Sequence, residues 1–273
     1  MGLHVSRRRA WTLATSAAAL LVALSYTVLP GAAQGRGRGQ GQGQPAPPGA
    51  SLRSIAPLDL TGYWVSVVTE DWRYRMVIPA KGDHPSVPLN AEGVRVAAAW
   101  DPASDEAAGE QCKGYGAAGV MRLSGRLHIT WESANTLRIE TDAGTQTRLL
   151  HFGGAEPQSG EPTWQGHSVA QWEFAGGGRA MRGRGGPPPG GDLKVVTTRM
   201  RPGYLQKNGV PYSANAIMTE YFNRASEDNG DTWLILTTIV EDPRYLNGRF
   251  LRSTHFKKLP NGSGWNPMPC RSA

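Results

Sequence analysis

Short runs in which apolar and polar residues alternate make up most of the chain from Leu58 onward. Runs of this length with a period of two are typical of β-strands. Turn residues separate most of the runs, and Asn229-Gly230 between two of them is the strongest hairpin signal in the chain. The runs cover residues 58–68, 71–79, 119–124, 126–133, 136–142, 145–152, 168–174, 193–201, 216–224, 232–242 and 251–258. We therefore expect a protein built mainly of strands joined by tight turns.

One region near the first strands has a helical pattern instead. Asn90 is a suitable N-cap for a helix that extends to Trp100, where Asp101 and Pro102 end it. A second short helix is predicted over residues 104–111. The many closely spaced strands favour an antiparallel meander, and closing it into a barrel removes its exposed edges. The predicted fold class is all-β: an antiparallel meander closed into a barrel, with one or two short helices near its N-terminal side.

Two segments are too rich in Gly and Pro to form a core. Residues 34–56 consist largely of Gly, Gln, Arg and Pro, and residues 175–191 insert Gly, Arg and Pro into one predicted hairpin. Such segments cannot bury enough apolar surface to offset the entropy of ordering, so we expect both to be disordered. The chain is thus predicted to hold a single β-barrel domain over residues 57–273 after a disordered linker.

The net charge of +7 is not spread over the predicted domain. Much of it comes from arginines in the N-terminal segment, the linker and the insert, and the remaining chain is close to neutral. These arginines are Arg7, Arg8, Arg9, Arg36, Arg38, Arg53, Arg179, Arg182 and Arg184. No basic stripe interleaved with aromatic residues is present in the predicted strands, so we expect no nucleic-acid partner.

The first 33 residues have the pattern of an export signal. Positive residues at 7–9 precede a long apolar run at 11–29, and the small residues Ala32 and Ala33 follow Pro30. This arrangement predicts a signal peptide cleaved after Ala33, no membrane span thereafter, and a periplasmic or secreted protein. A retained N-terminal anchor is the alternative. Both the twin-arginine and the general export routes remain open.

The two cysteines, Cys112 and Cys270, are predicted to form a disulfide bond. An even number of cysteines in an exported chain favours pairing. Cys270 lies close to the end of the chain in a stretch rich in Pro and Asn, which is a poor place for a buried thiol. Two separate buried thiols are the alternative to a bond between the tail and an early loop.

Several segments resemble known proteins. Gly62-Tyr63-Trp64 resembles the Gly-x-Trp start of the first strand in lipocalin-like barrels. The segments PLDLTGYW, DAGTQTRLLHF, EPTWQGHSVAQWE, NGVPYSANAIMTEYF, TTIVEDPRYL and WNPMPC, taken in order, resemble a family of uncharacterised exported bacterial proteins. The likeness runs over nearly all of residues 58–270. It implies secretion and a β-rich, lipocalin-like fold, and it implies no activity and no catalytic residues.

Motifs for catalysis, metals or cofactors are missing from the sequence. There is no Gly-x-Ser-x-Gly, no His-Glu-x-x-His, no phosphate-binding loop and no paired cysteine spacing. The histidines form no His-x-His pair that would favour a metal site. We therefore expect no cofactor and no metal, and the sequence carries no signal for an oligomeric state.

Candidate ligand-binding residues follow from polar groups that continue the strand alternation. A charge on such a face is costly to bury unless it is paired, so it either reaches solvent or serves a site. The candidate polar residues are Arg148, His151, His167, Arg199, Tyr212, Glu220 and Glu241, with Trp72 and Trp131 as apolar walls. Alternation cannot place all seven polar residues on one inner surface. The hypothesis of a single site requires at least three of them to meet in one cavity.

Three functions are compatible with these observations. The first is an exported β-barrel protein that binds a small, partly apolar ligand, which requires a roomy pocket with few polar groups. The second is a periplasmic enzyme, an isomerase, lyase or hydrolase, which requires at least two titratable groups converging in one pocket. The third is a filled structural barrel of the cell envelope, which requires neither.

Overall fold

The computed structural model describes residues 51–154, 160–175 and 190–272. These residues contain eleven strands, of which nine close into a barrel and two form a separate small sheet. The strands are β1 Gly62–Val67, β2 Arg126–Ser133, β3 Thr136–Thr141, β4 Gln146–Phe152, β5 His167–Phe174, β6 Gly191–Thr198, β7 Gly203–Gln206, β8 Val210–Tyr212, β9 Ile217–Ser226, β10 Thr232–Glu241 and β11 Phe250–Leu259. Around the barrel the order is β1, β11, β10, β9, β6, β5, β4, β3 and β2, which pairs with β1 again. The separate strands β7 and β8 form a two-stranded sheet. The predicted closed β-barrel is therefore confirmed.

One strand pair differs from the predicted antiparallel meander. Strands β4 and β5 run parallel, with Leu150 opposite Ser168, whereas the other neighbouring barrel strands are antiparallel. The reason is parity, because strands that alternate in direction can close a ring only when their number is even, and this ring has nine. The prediction of a wholly antiparallel meander is wrong at this pair.

Four helices and one 3₁₀ turn lie between β1 and β2, more than the one or two predicted. They are α1 Trp72–Arg75, α2 Ala91–Ala99, α3 Pro102–Ala107, the 3₁₀ turn Lys113–Tyr115 and α4 Ala117–Val120. Asn90 caps α2 as predicted, since its Oδ1 accepts a hydrogen bond from the backbone N–H of Gly93 at 2.8 Å. The alternating run 71–79 contains α1 and the run 119–124 begins within α4, and neither forms a strand, because so short an apolar run fits either structure.

Helices and the small sheet cover one end of the barrel, which we call the helical end. Ala118 of α4, Leu205 of β7 and Val210 of β8 belong to one buried cluster with Met218 and Phe250 of the barrel strands. This cluster closes the helical end with apolar side chains.

The opposite end of the barrel is covered by the start of the described chain. Leu52 and Ile55 pack against the buried cluster at this end, and the backbone carbonyl of Leu52 accepts a hydrogen bond from Trp172 Nε1 at 2.9 Å. The Trp172 ring also contacts Phe152 and Trp131, with centroids 5.1 and 6.5 Å away. Residues 51–56, which the sequence assigns to the linker, therefore lie against the barrel. The rest of the predicted linker, the predicted signal segment and most of the 175–191 insert lie outside the described residues.

Side chains fill the barrel between these ends in three layers. On β9 the inward residues are Met218, Glu220 and Phe222, of which Met218 belongs to the helical-end cluster and Phe222 to the opposite cluster. On β6 the buried side chains likewise change from apolar Val195 to polar Thr197. A polar layer thus separates two apolar clusters.

An ion pair between Arg148 of β4 and Glu220 of β9 dominates the polar layer. Both side chains are fully buried, and the two guanidinium nitrogens bond the two carboxylate oxygens at 3.1 and 2.6 Å. Thr197 lies 3.5 Å from the same guanidinium and shares a 2.8 Å hydrogen bond with Ser168. Because β5 and β6 lie between β4 and β9, this pair reaches across the barrel interior.

The predicted disulfide is confirmed. Cys112 and Cys270 are bonded, with their Cα atoms 5.1 Å apart. The tail before Cys270 lies along the β3–β4 turn, where the backbone N–H of Met268 bonds the carbonyl of Asp142 at 2.8 Å and Thr145 Oγ1 bonds the carbonyl of Met268 at 3.0 Å. The bond therefore attaches an ordered tail to the helical end.

Replacing Glu220 with Ala should destabilise the protein by about 3–5 kcal/mol, because Arg148 would then be a buried charge with no partner. The double variant Arg148→Met/Glu220→Leu should lose much less free energy of unfolding, since it removes both charges. Urea unfolding of the purified proteins measures both values. Equal losses in the single and double variants would show that packing, and not charge, sets the cost.

Replacing both cysteines with Ser should lower the free energy of unfolding. The bond closes a loop spanning 158 positions, for which chain entropy gives an upper value of about 5 kcal/mol. Denaturant unfolding with and without a reductant measures the loss. The reductant should destabilise the wild type and leave the double variant unchanged; the same reductant effect on both proteins would contradict the prediction.

Candidate functional site

The polar residues predicted from strand alternation form two separate pairs. Arg148 and Glu220 meet inside the filled barrel. His151 and His167 stack face to face at the parallel β4–β5 junction, with ring centroids 5.3 Å apart. Burial, together with the charge of His167, holds the pKa of His151 below its ordinary value.

The remaining candidates lie apart from these pairs and from one another. Arg199 follows β6 and donates a hydrogen bond to the carbonyl of Gly160. Exposed Glu241 bonds Arg249 Nε at 2.7 Å. Tyr212 is fully buried in the helical-end cluster, where burial raises the pKa of its phenol.

The two tryptophans named as walls also lie apart. Trp72 on α1 is 64% exposed, and Trp131 packs among aromatic rings at the opposite end of the barrel. Among the described residues the seven polar candidates therefore lie in separate places, and their role in ligand binding stays a prediction.

A cleft lies at the helical end, outside the barrel interior. It has a volume of about 460 Å³ and is lined by residues from five parts of the chain. These parts are the segment from Tyr74 to Ile78, the region from Gly114 to Arg126, the β3–β4 turn, the end of β7 with Lys207, and the C-terminal tail. We call this feature the end cleft.

Segment α1 forms one wall of the end cleft because ion pairs hold it against the barrel. Arg75 is buried, pairs with Glu70, and donates from Nε to the carbonyl of Arg122 at 2.8 Å. The Arg122 guanidinium bonds Asp71 at 3.2 Å, and Arg252 of β11 bonds the same carboxylate oxygen at 2.9 Å. Asp71 takes the left-handed conformation just before α1, which Asp tolerates better than most residues.

Gly144 and Tyr115 form another part of the cleft wall. Gly144 has φ +71°, and a Cβ at this position would lie 2.2 Å from the Tyr115 ring. Glycine therefore lets the β3–β4 turn pack directly on the ring. Lys207 lies on the same tyrosine: its Nζ is 4.9 Å from the ring centroid and donates a hydrogen bond to Tyr115 Oη at 3.0 Å.

Three side chains in the cleft wall, Gln206, Arg75 and Arg126, have buried polar atoms without hydrogen-bond partners among the described residues. Gln206 is 5% exposed, and neither its amide nitrogen nor its amide oxygen is bonded. Nη2 of Arg75, also 5% exposed, has no partner either. Buried polar groups are nearly always bonded, and leaving one unsatisfied costs about 1–3 kcal/mol. The cleft wall therefore has hydrogen-bonding capacity that water or a bound molecule would use.

The cleft wall carries an excess of positive charge. Its cationic residues are Arg75, Arg122, Arg126, Lys207 and Arg271, and Asp142 is the one carboxylate among the lining residues. Glu70 and Asp71 compensate Arg75 and Arg122, and Asp142 lies 3.8 Å from Arg126. Burial lowers the pKa of Arg122 to about 10, against the opposing charge of Asp71, so Arg122 is still protonated at neutral pH.

Sequence reasoning did not find the end cleft because its residues come from distant segments. Lys207 and Gln206 interrupt no strand alternation that could have marked them. Arg271 lies on a tail that the Cys112–Cys270 bond and hydrogen bonds to the β3–β4 turn hold at the cleft. The sequence signal that could have indicated this cleft is the predicted disulfide, because it joins the C-terminal tail to the loop that contains Cys112.

Other kinds of site are not formed in the residues that the structure describes. No three His, Cys, Asp or Glu side chains there lie close enough together to hold a metal ion. No helix in the described ranges has the length and apolar content to cross a membrane. Comparisons with protein-family models, with curated proteins and with solved structures find no match. Function is therefore argued from the geometry of this chain.

Replacing His151 with Gln should reduce the loss of thermal stability on acidification. Because the folded-state pKa of His151 lies below its ordinary value of about 6.5, the unfolded chain takes up the proton first as pH falls. This histidine therefore destabilises the fold below about pH 6.5 and has no such effect above it. Melting temperatures at pH 7.5 and 5.5 measure the difference.

The matched control is His84→Gln, which leaves the histidine stack intact. It should show the same change in melting temperature as the wild type. If the His151 variant also loses as much stability as the wild type between the two pH values, the stacked pair does not contribute to acid sensitivity.

Proposed function

We propose that this chain is an exported β-barrel protein that binds a small, partly apolar ligand in the end cleft and not inside the barrel. The observation that carries the proposal is the buried amide of Gln206 in the wall of a cleft of about 460 Å³, because neither its nitrogen nor its oxygen has a partner among the described residues. A volume of this size is within the range of small-molecule sites, and the mouths of barrels are frequent places for them.

The filled interior is the reason for placing the ligand at the end. Small barrels either fill their interior with side chains or hold one small ligand there. Here Trp64, Phe222 and the Arg148–Glu220 pair occupy the interior. The lipocalin-like relationship inferred from the sequence stays part of this proposal, with the ligand moved from the interior to the mouth.

An oxidising location supports export as part of the proposal. Disulfides persist mainly in the periplasm and outside cells, and this chain has a disulfide that holds part of the cleft wall. Cleavage after Ala33 and the export route both concern residues outside the described ranges and remain predictions.

A filled structural barrel of the cell envelope is the second candidate function. A structural barrel requires a filled interior. The buried Arg148–Glu220 pair between two apolar clusters meets this requirement, since it leaves the interior without room for a ligand. The two candidates differ at the end cleft, which a purely structural barrel does not need.

Binding at the end cleft can be tested by screening a library of small molecules against the purified protein with ligand-observed NMR. Ser124 lines the cleft and is exposed, so Ser124→Trp should block it while leaving the barrel intact. Ser226→Trp, an exposed position at the far end of β9, is the matched control. Circular dichroism and melting temperature verify that both variants fold.

Compounds that bind the wild type should also bind the Ser226→Trp protein and should lose binding to the Ser124→Trp protein. If no compound binds the wild type, or if binding persists unchanged after Ser124→Trp, the proposal fails and the structural barrel becomes the better assignment.

A further inference from the structure

Lys207 and Arg271 give the end cleft two cations without carboxylate partners in the part of the chain that the structure describes. The other three cations of the wall each have one. Lys207 is held by the Tyr115 hydroxyl and ring alone. The wall therefore keeps uncompensated positive charge at two of its five cationic positions.

Carboxylates near these two cations are already bonded elsewhere. Asp105 and Glu110 share a small adjoining pocket with Lys207 and Arg271. Asp105 bonds Lys113 at 2.7 Å and accepts a hydrogen bond from Tyr204 at 2.7 Å. Glu110 bonds Lys113 and Arg201. The charges of Lys207 and Arg271 thus remain available to a bound anion.

A local irregularity in β7 places Gln206 next to this charge. The pairing of β7 with β8 shifts register between Tyr204 and Gln206, and Leu205 and Gln206 are both buried instead of alternating. As a result Gln206 and Lys207, although consecutive, both line the end cleft. A ligand at Lys207 is therefore adjacent to an amide that offers one donor group and one acceptor group.

Apolar side chains supply the rest of the recognition surface. Met76 and Val77 are 59% and 65% exposed, and Met268 of the tail is 40% exposed. All three line the end cleft. Exposed apolar groups gathered in one place mark binding surfaces more often than isolated ones do.

We infer that the ligand of the end cleft is an amphipathic carboxylic acid with a hydrogen-bond donor near its carboxylate, as in a 3-hydroxy fatty acid. This inference rests on the proposed function of the same cleft. The carboxylate pairs with Lys207 and Arg271, and the donor bonds the Gln206 amide oxygen. The apolar chain lies against Met76, Val77 and Met268.

Isothermal titration calorimetry with 3-hydroxydecanoate and three analogues tests each part of this recognition. The methyl ester removes the charge, decanoate removes the hydroxyl donor, and 3-hydroxybutyrate removes the apolar chain. Each analogue should bind at least about tenfold more weakly, because each leaves one part of the wall without its partner. Binding of 3-hydroxydecanoate should also weaken as salt rises.

Two variants identify the cations. Lys207→Gln and Arg271→Gln should each weaken binding of 3-hydroxydecanoate several-fold and leave binding of its methyl ester unchanged. The matched control is Lys81→Gln, which removes an exposed lysine outside the end cleft and should change neither affinity. Comparing acid and ester in the same variant separates lost charge from damaged packing.

Failure of this inference differs from failure of the proposed function. If library compounds bind in a way that Ser124→Trp blocks, but the acid and its ester bind equally or Lys207→Gln has no effect, the anion assignment is overturned and the binding function stands. If decanoate binds as tightly as 3-hydroxydecanoate, the role assigned to Gln206 is overturned. If nothing binds the wild type, both proposals fail.

Discussion

The ion pair between Arg148 and Glu220 is the interaction on which the rest of the structure depends. Two charges with no exposure to water are costly to bury unless they pair, and the two-bond contact between them requires β4 and β9 to hold a fixed distance across the interior. The pair occupies the space that a ligand would need in a hollow barrel. The interior is therefore filled, and the helices, the small β7–β8 sheet and the C-terminal tail build a separate cleft at the helical end.

Buried arginines in this protein differ in their surroundings, since one lies inside the barrel and others line the end cleft. Arg148 has a carboxylate partner of its own and acts within the fold. Arg75 and Arg122 are also buried and paired, but they line the end cleft, and one nitrogen of Arg75 has no partner in the described structure. Neighbouring Lys207 and Arg271 have no carboxylate partner among the described residues. The same cationic chemistry thus pairs with a carboxylate inside the barrel and, under the proposed function, supplies charge for binding at the end cleft.

Much of the fold could be predicted from the sequence, and the candidate site could not. Alternation located the barrel strands closely, and Asn90 and the two cysteines marked a cap and a crosslink that the structure contains. The β4–β5 parallel pair depends on the total strand number, which no local pattern reports. Alternation also identified Arg148 and Glu220 as unusual, but it does not distinguish a charge paired inside a barrel from one that faces a ligand.

The disulfide links the chemical state of the cysteines to the shape of the end cleft. Met268, Pro269 and Arg271 form part of its wall, and the Cys112–Cys270 bond is the covalent tie that keeps this stretch in place. A newly made chain with reduced cysteines lacks that tie, although its nine-stranded barrel needs no crosslink to close. If the end cleft binds a ligand as proposed, binding depends on this oxidation, because the reduced chain lacks the covalent tie that holds part of the cleft wall.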